Sequence, residues 1–527
     1  MPALVVELQA ADGSIIPERG RTVTVSLGGG AAALTGAVSA VTDGSGRASL
    51  PGLAIAGTIG MYSVSFTSPG LTSAASRSIR LEPGFPSRIA VIAGDSQVAP
   101  AGARINQPVR IRVADAQGNV VPGTPVRFTV ASGRGTVSPS VDTTNATGEA
   151  TIATWELGPT VGAQAVQVLA DQAVLVVAAR ATGLFASTVS AGWSACAIVA
   201  GGARRCWGSN QYGGLGDGGD EDRTRPSDTL TGPRVGRVAM SIGRSCLLTS
   251  DGELRCWGNG RLGVATSRPQ QAPMLIPIAD RATDLSLSVS TACVLLRSQE
   301  VYCWGDNQNG EVGDGSTELR RTPVRVSGGH RFVQVSVGAF STCALTLPGA
   351  AFCWGANHNG DLGTGDTVAR HIPWPVVGGK TFRQVAVGGS FACGLSTDGL
   401  TNCWGDNGVG QLGDGTLTPR ATPAPIAGGH RFVRISAGLN HACGIDEVGR
   451  GWCWGHSGDG QLGAPNPGTR QPVAIAGDLR WQDLSAGDSN TCGVERSGQV
   501  YCWGSNFYGQ VGDGTNVPRS TPVPVLP

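Results

Sequence analysis

The chain is 527 residues long, with 39 basic and 38 acidic side chains and a formal charge of +1. That balance, without any basic run, gives no electrostatic case for nucleic acid or an anionic membrane, and no run of about 18 apolar residues is present to cross a bilayer. The length implies several domains. Its 81 glycines and 31 prolines, spread among Val, Ile, Thr and Ser, predict short strands and tight turns with almost no helix.

The first residues, Met1-Pro-Ala-Leu-Val-Val-Glu-Leu-Gln9, lack the charged region and apolar block of a signal peptide. Residues 1–183 contain no cysteine and split near Gly84-Phe85-Pro86. In 1–84, Thr22–Ser26 and Tyr62–Phe66 alternate with period two, and Thr42-Asp-Gly-Ser-Gly46 between them is turn chemistry. In 85–183, Val109–Val113, Val126–Val130, Gly148–Ile152 and Ala165–Leu169 read as strands, with a turn at Asp115–Asn119. Closely spaced strands of this kind predict a β-sandwich. The string Val113-Ala-Asp-Ala-Gln-Gly-Asn-Val-Val-Pro-Gly123, followed by Val126-Arg-Phe128 and Trp155-Glu-Leu-Gly158, resembles the bacterial Ig-like (invasin-type) domain. Residues 1–84 resemble the same class. The resemblance implies extracellular spacer or stalk modules.

From residue 184 the chain repeats itself. Cys-Trp-Gly occurs seven times, and a second cysteine precedes each by ten positions. The pairs are Cys196 with Cys206, Cys246 with Cys256, Cys293 with Cys303, Cys343 with Cys353, Cys393 with Cys403, Cys443 with Cys453 and Cys492 with Cys502. Between Cys246 and Cys256, a three-residue loop at Ser250-Asp251-Gly252 sets Thr249 opposite Glu253, Leu247 opposite Arg255, and the cysteines opposite each other. The third loop position favours a left-handed backbone. It is glycine in six copies (Gly202, Gly252, Gly349, Gly399, Gly449, Gly498) and Gln299 in the other. Opposed residues lie about 4.5–5.5 Å apart, within disulfide reach. Metal would need closely spaced ligand pairs, which are missing. Disulfides place the chain in an oxidising compartment, so a native start upstream, or a removed export sequence, is expected.

The Trp after each second cysteine points to the opposite face and is expected to wedge between neighbouring sheets. Short strands ending small, such as Val333–Gly338, Val433–Gly438 and Leu484–Gly487, suit a crowded axis. Proline-bearing tails, Thr322–Val326, Thr422–Ile426 and Thr521–Val525, suit an outer edge. Four strands per unit, small inside and proline-marked outside, predict a propeller blade. The unit Val-Ser-Ala-Gly…Cys…Asp-Gly…Cys-Trp-Gly-x-Asn-x-x-Gly-Gln-Leu-Gly-Asp-Gly resembles the regulator of chromosome condensation repeat over 184–527. This implies a seven-bladed β-propeller. Repeat 2 departs after Trp257, and repeat 6 carries Gly463-Ala-Pro465. The family's namesake activity is guanine-nucleotide exchange on a nuclear GTPase, and bacterial members bind proteins through propeller loops, β-lactamase inhibitors among them.

No H-E-x-x-H, G-x-S-x-G or phosphate loop is present. His330 and His430 recur in Gly-Gly-His-Arg-Phe turns and read as structural. Asp217, Asp314, Asp414 and Asp513 of the Gly-Asp-Gly loops lack the alternating acidic ligands of calcium loops and read as turn formers. The segment before each first cysteine varies most between copies. It carries Trp193, Arg244, Thr291, Phe340, Phe391, Asn440 with His441, and Asp488 with Asn490. These are expected to converge on one propeller rim as ligand-binding residues, and the acidic-basic insertion Gly219–Arg225 adds a charged patch to another loop of blade 1. The expectation is an all-β, monomeric, non-catalytic, extracellular or cell-surface protein without cofactor or metal, which binds a protein or glycan. The alternatives are a polysaccharide hydrolase or lyase in the propeller mouth and an intracellular exchange-factor-like propeller.

Overall fold

A computed structural model describes residues 3–527 apart from 102, 159–160, 229–233, 266–267 and 466–468. Strands hold 51% of the residues and helices 2%, so the molecule is all-β. It divides into two compact units, residues 1–181 and 182–527.

Unit 1 is built of antiparallel sheets. Its first part centres on the pair Thr22–Gly28 and Gly60–Thr67, whose alternate side chains Val23, Val25, Tyr62 and Val64 are buried. Its second part sets a three-strand sheet (Arg88–Ala93, Val109–Ala114, Glu149–Ile152) and a five-strand sheet around a core of Val109, Ile111, Val126, Phe128, Ile152 and Trp155. The turn after Val109–Ala114 is organised by the Asp115 carboxylate, which accepts the backbone N–H groups of Gln117 and Asn119.

Among the described residues, unit 2 contains seven four-stranded sheets, each antiparallel and in chain order. Blade 4 shows the plan: Phe332–Val337 innermost, then Ser341–Thr346, Ala351–Gly355 and the proline-bearing Arg370–Pro375 at the outer edge. All seven cysteine pairs are bonded within their own hairpins, as their spacing in the sequence predicts. Cys196 is bonded to Cys206, Cys246 to Cys256, Cys293 to Cys303, Cys343 to Cys353, Cys393 to Cys403, Cys443 to Cys453 and Cys492 to Cys502. In every pair the Cα atoms are 4.1 Å apart, closer than the 4.5–5.5 Å expected from the sequence. The difference arises because each pair occupies a non-hydrogen-bonded site of the ladder, where strands approach most closely.

Each Trp-Gly tryptophan is buried against the disulfide of the preceding blade. Trp257 packs on the bridge between Cys196 and Cys206, Trp354 on that between Cys293 and Cys303, and Trp503 on that between Cys443 and Cys453. Trp404 meets Cys343 and Cys353 in the same way, and Trp454 meets Cys393 and Cys403. The indole N–H groups donate backwards as well, Trp257 to Gly214 O at 2.8 Å and Trp354 to Glu311 O at 2.9 Å. Trp207 of blade 1 packs on Cys492 and Cys502 of blade 7 and donates to Gln510 O at 2.9 Å. The ring therefore closes without strand exchange. Ala186 N–H bonds Gly498 O at 2.8 Å at this seam, as Ala282 N–H bonds Gly252 O at 3.0 Å between blades 2 and 3.

The hairpin glycines all have positive φ, and Gln299 takes the same conformation with φ 64°. Its side chain is exposed. A left-handed backbone costs a non-glycine residue about 1–2 kcal/mol, part of which glycine gives back as unfolded-chain entropy. Gln299→Gly is therefore expected to raise stability by about 1 kcal/mol, seen as a higher denaturation midpoint. A lowered midpoint would show that the Gln299 side chain stabilises the turn.

Candidate functional site

The innermost strands line an axial cavity of about 1040 Å³ that narrows towards the loops preceding the first cysteines. The narrowing follows from glycine. A Cβ on Gly338 would lie 2.1 Å from Gly388 O, and one on Gly438 would lie 2.0 Å from Gly487 O, so neighbouring blades meet backbone to backbone. Small residues at strand ends are thus needed for direct inter-blade contact.

Polar side chains knit the wall lower down. Ser286, Ser336, Ser436 and Ser485 each accept a backbone N–H from the next blade at 2.9–3.0 Å. Gln334 and Gln384 clamp the backbone of Val385 and Ile435 through both amide atoms. Arg237–Asp284 (2.5 Å), Arg434–Asp483 (2.9 Å) and Thr188–Asp483 (2.5 Å) link further blades. Asp284 and Asp483 are therefore engaged in holding the ring.

The narrow mouth is a cavity of about 80 Å³ to which every blade contributes. Its lining is backbone and small or apolar side chains, with one exception, Asp488 of blade 7. Blades 3 to 6 carry Val289, Ala339, Gly389 and Leu439 at the corresponding place. The Trp193 backbone N–H donates to the Asp488 carboxyl, while Asp488 Oδ2 is buried with no hydrogen-bond partner among the described residues. Burial pushes this acid up to about 6, against the opposing effect of the Trp193 N–H.

The residues singled out in the sequence separate into two layers. Trp193, Phe340 and Asn440 lie in the loop, and Phe340 is 50% exposed. Arg244, Thr291, Phe391, His441 and Asn490 are the first residues of second strands and are buried. Their assignment to the rim is corrected, because the strand begins two residues before the cysteine and period-two alternation turns this position inward. Phe391 is fully buried, with its ring against Gly388. Arg244 donates to Ser288 O at 2.9 Å, and burial lowers it to about 10. His441 shares a 2.9 Å hydrogen bond with Thr491, and burial first, then His456, holds it down to about 3, so it stays neutral.

A second set of rim residues comes from the loops after each Trp-Gly. Tyr508 of blade 7 stacks on Trp193 of blade 1, with centroids 5.3 Å apart and planes 21° apart. Tyr212 of blade 1 lies against Gly243 of blade 2, where a Cβ would meet its ring at 3.3 Å. The residue at this loop position thus packs on the following blade's lip. Tyr212 is held at φ 69°, an uncommon conformation for an aromatic residue. Phe507 and Tyr212 are 63% and 53% exposed, and the acidic run Asp220-Glu221-Asp222 follows Tyr212 in the same loop. The clue in the sequence was repeat-to-repeat variation at this phase: Gln211-Tyr212, Gln308-Asn309, His358-Asn359, Gly408-Val409, Phe507-Tyr508.

The Gly-Asp-Gly carboxylates are occupied by their own loops. Asp314, Asp414 and Asp513 accept from Ser316, Thr416 and Thr515 and ion-pair with Arg320, Arg420 and Arg519. No group of three or more His, Cys, Asp or Glu placed to hold a metal occurs among the described residues. His330 and His430 pack on Phe352 and Trp452, with centroids 4.3 and 4.2 Å away.

The family description "Regulator of chromosome condensation (RCC1) repeat" matches residues 299–345, 348–395, 398–445 and 497–527, and a second description of the same repeat matches 282–311, 332–361, 382–411 and 481–510. RCC1 repeats are thus detected in unit 2, whose fold is a β-propeller. Blades 1 and 2 lie outside the matched segments but share the strand order and the stapled hairpin.

Among solved structures, the RCC1 propeller is similar to yeast RCC1 (Prp20) in complex with Kap60, at 19% identity and TM-score 0.56, covering 64% of this chain and 85% of that one. Prp20p from Saccharomyces cerevisiae, described with its binding properties to Gsp1p and histones, matches at 20% identity and TM-score 0.55, covering 65% and 87%. Human WBSCR16 matches at 20% identity and TM-score 0.55, covering 61% and 93%. These likenesses show the fold. No curated protein matches the chain in sequence.

Proposed function

We propose that this chain is a non-catalytic recognition protein working outside the cell or at its surface, where two Ig-like sandwiches present an RCC1 propeller to a protein partner. The supporting observation is the aromatic cluster on the lip of blades 7, 1 and 2. Phe507 and Tyr212 expose more than half their surface, beside the Trp193–Tyr508 stack. Exposed aromatics on a rigid scaffold are typical interface anchors. The RCC1-repeat fold supports a protein-binding role, and the relatives with Kap60, Gsp1p and histones as partners set a precedent for it.

Seven disulfides suggest an oxidising, extracellular setting. No helix among the described residues is long and apolar enough to cross a membrane. An exchange factor of the reducing cell interior would carry fourteen free thiols, whereas no cysteine is free here. A polysaccharide-cleaving enzyme needs two carboxylates facing the substrate, and Asp284 and Asp483 are tied to arginines. The test is capture from the protein's native surroundings with the full chain as bait, repeated with Phe507→Ala. Specific retention of one protein that weakens with the variant supports the reading. Retention of glycans alone, or turnover of a polysaccharide, overturns it.

A further inference from the structure

Asp488 is a group that nothing yet described explains. Among the described residues it is the one titratable side chain lining the axial mouth, and one of its carboxylate oxygens is buried without a partner. Arg244, a buried cation in the same tier of the ring, directs its guanidinium to the carbonyls of Ser288 and Arg261. A desolvated carboxylate without a counter-charge works against folding, and such groups collect at functional sites. The residue holding it, Trp193, carries the ring stacked on Tyr508, so the acid stands at the aromatic lip.

We propose that the axial mouth receives a primary ammonium group, carried by a lysine side chain of the protein partner. The cavity of about 80 Å³ has room for an ammonium head with a methylene behind it, and because one Asp488 oxygen already accepts the Trp193 N–H, the two-pronged fork of a guanidinium would find only Oδ2 free. One carboxylate balances one ammonium, and the free Oδ2 lone pairs are acceptors for its N–H donors. This site rests on the reading of the loop face as a protein-docking surface.

The raised pKa gives the site a pH signature. The ionised carboxylate is the binding form, so affinity is full above the folded value of about 6 and lost as the pH falls through it. His441 stays neutral and Arg244 stays charged across that interval, so neither confounds the profile.

The experiment is calorimetric titration of the full chain with Nα-acetyl-lysine methylamide, and with Nα-acetyl-norleucine methylamide, which lacks the amine. The expected result is binding of the lysine compound alone. It weakens about tenfold between about pH 8 and about pH 5, and at least about tenfold in Asp488→Asn, whose near-ultraviolet dichroism matches the parent and whose melting temperature at about pH 8 is at least as high, since a buried unpaired charge is removed. Equal binding of the norleucine compound, equal affinity in Asp488→Asn, or no heat with the lysine compound overturns the site. Protein capture that persists without amine binding sinks the site and leaves the docking face standing. Amine binding without protein capture does the reverse.

Discussion

Phe391→Ala is expected to lower the stability of the propeller by about 3–5 kcal/mol, whereas Phe340→Ala leaves it within about 0.5 kcal/mol. The two phenylalanines belong to the same segment of successive repeats, yet one is fully buried and the other half exposed. Phe391 opens the strand Phe391–Ser396 and shares its core cluster with the bonded pair Cys393 and Cys403, with Leu395, and with Phe432 and Trp454 of the neighbouring blade. Its ring also fills the space beside Gly388, where even a methyl group would collide at 2.1 Å. Removing it leaves a cavity bounded by rigid ladders that cannot collapse inward. Denaturant unfolding followed by near-ultraviolet dichroism reads both variants. Equal losses would mean that Phe340 packs as Phe391 does, and the two-layer description of the rim would be wrong.

The second large effect concerns capture. Trp193→Ala combined with Tyr508→Ala is expected to weaken partner binding by at least about 30-fold, the range of an interface hot spot worth about 2 kcal/mol or more. The two rings hold each other across the seam between blades 1 and 7, and such a preorganised pair loses little side-chain entropy when it is covered. Phe507→Ala, at a side chain 63% exposed, separates contact from stability because it removes surface and leaves the core untouched. Surface plasmon resonance with the captured protein measures both. Unchanged affinity in the double variant would move the docking surface elsewhere on the ring.

The architecture was readable because the repeat is redundant. Seven copies of one hairpin fix the register, and the register fixes the sulfur pairing and the tryptophan wedges. The rim was only half readable, for a one-residue reason. Arg244, Phe391, His441 and Asn490 sit two positions before their cysteine, already inside a strand, while Trp193, Phe340 and Asn440 sit three before it. Variation between copies marks both layers equally, since inward side chains only have to match their own neighbours. Blade 1 adds a shift that pattern alone hides. Its Ser190 faces Cys196, whereas Ala239 faces Cys246 from one residue further away along the chain. Tyr212 and Tyr508 follow the Trp-Gly signal in a loop whose glycines specify backbone geometry and leave its exposed side chains unmarked by the repeat.

Every sulfur partner lies ten residues along the chain, and no disulfide joins one blade to the next. On the proposed extracellular reading, a nascent polypeptide crossing into an oxidising space would present each cysteine with its correct mate before the following repeat had emerged. Oxidation would then keep step with delivery, without fourteen thiols competing at once. Assembly of the ring, by contrast, waits for the last repeat, because the final tryptophan contact joins blade 7 to blade 1.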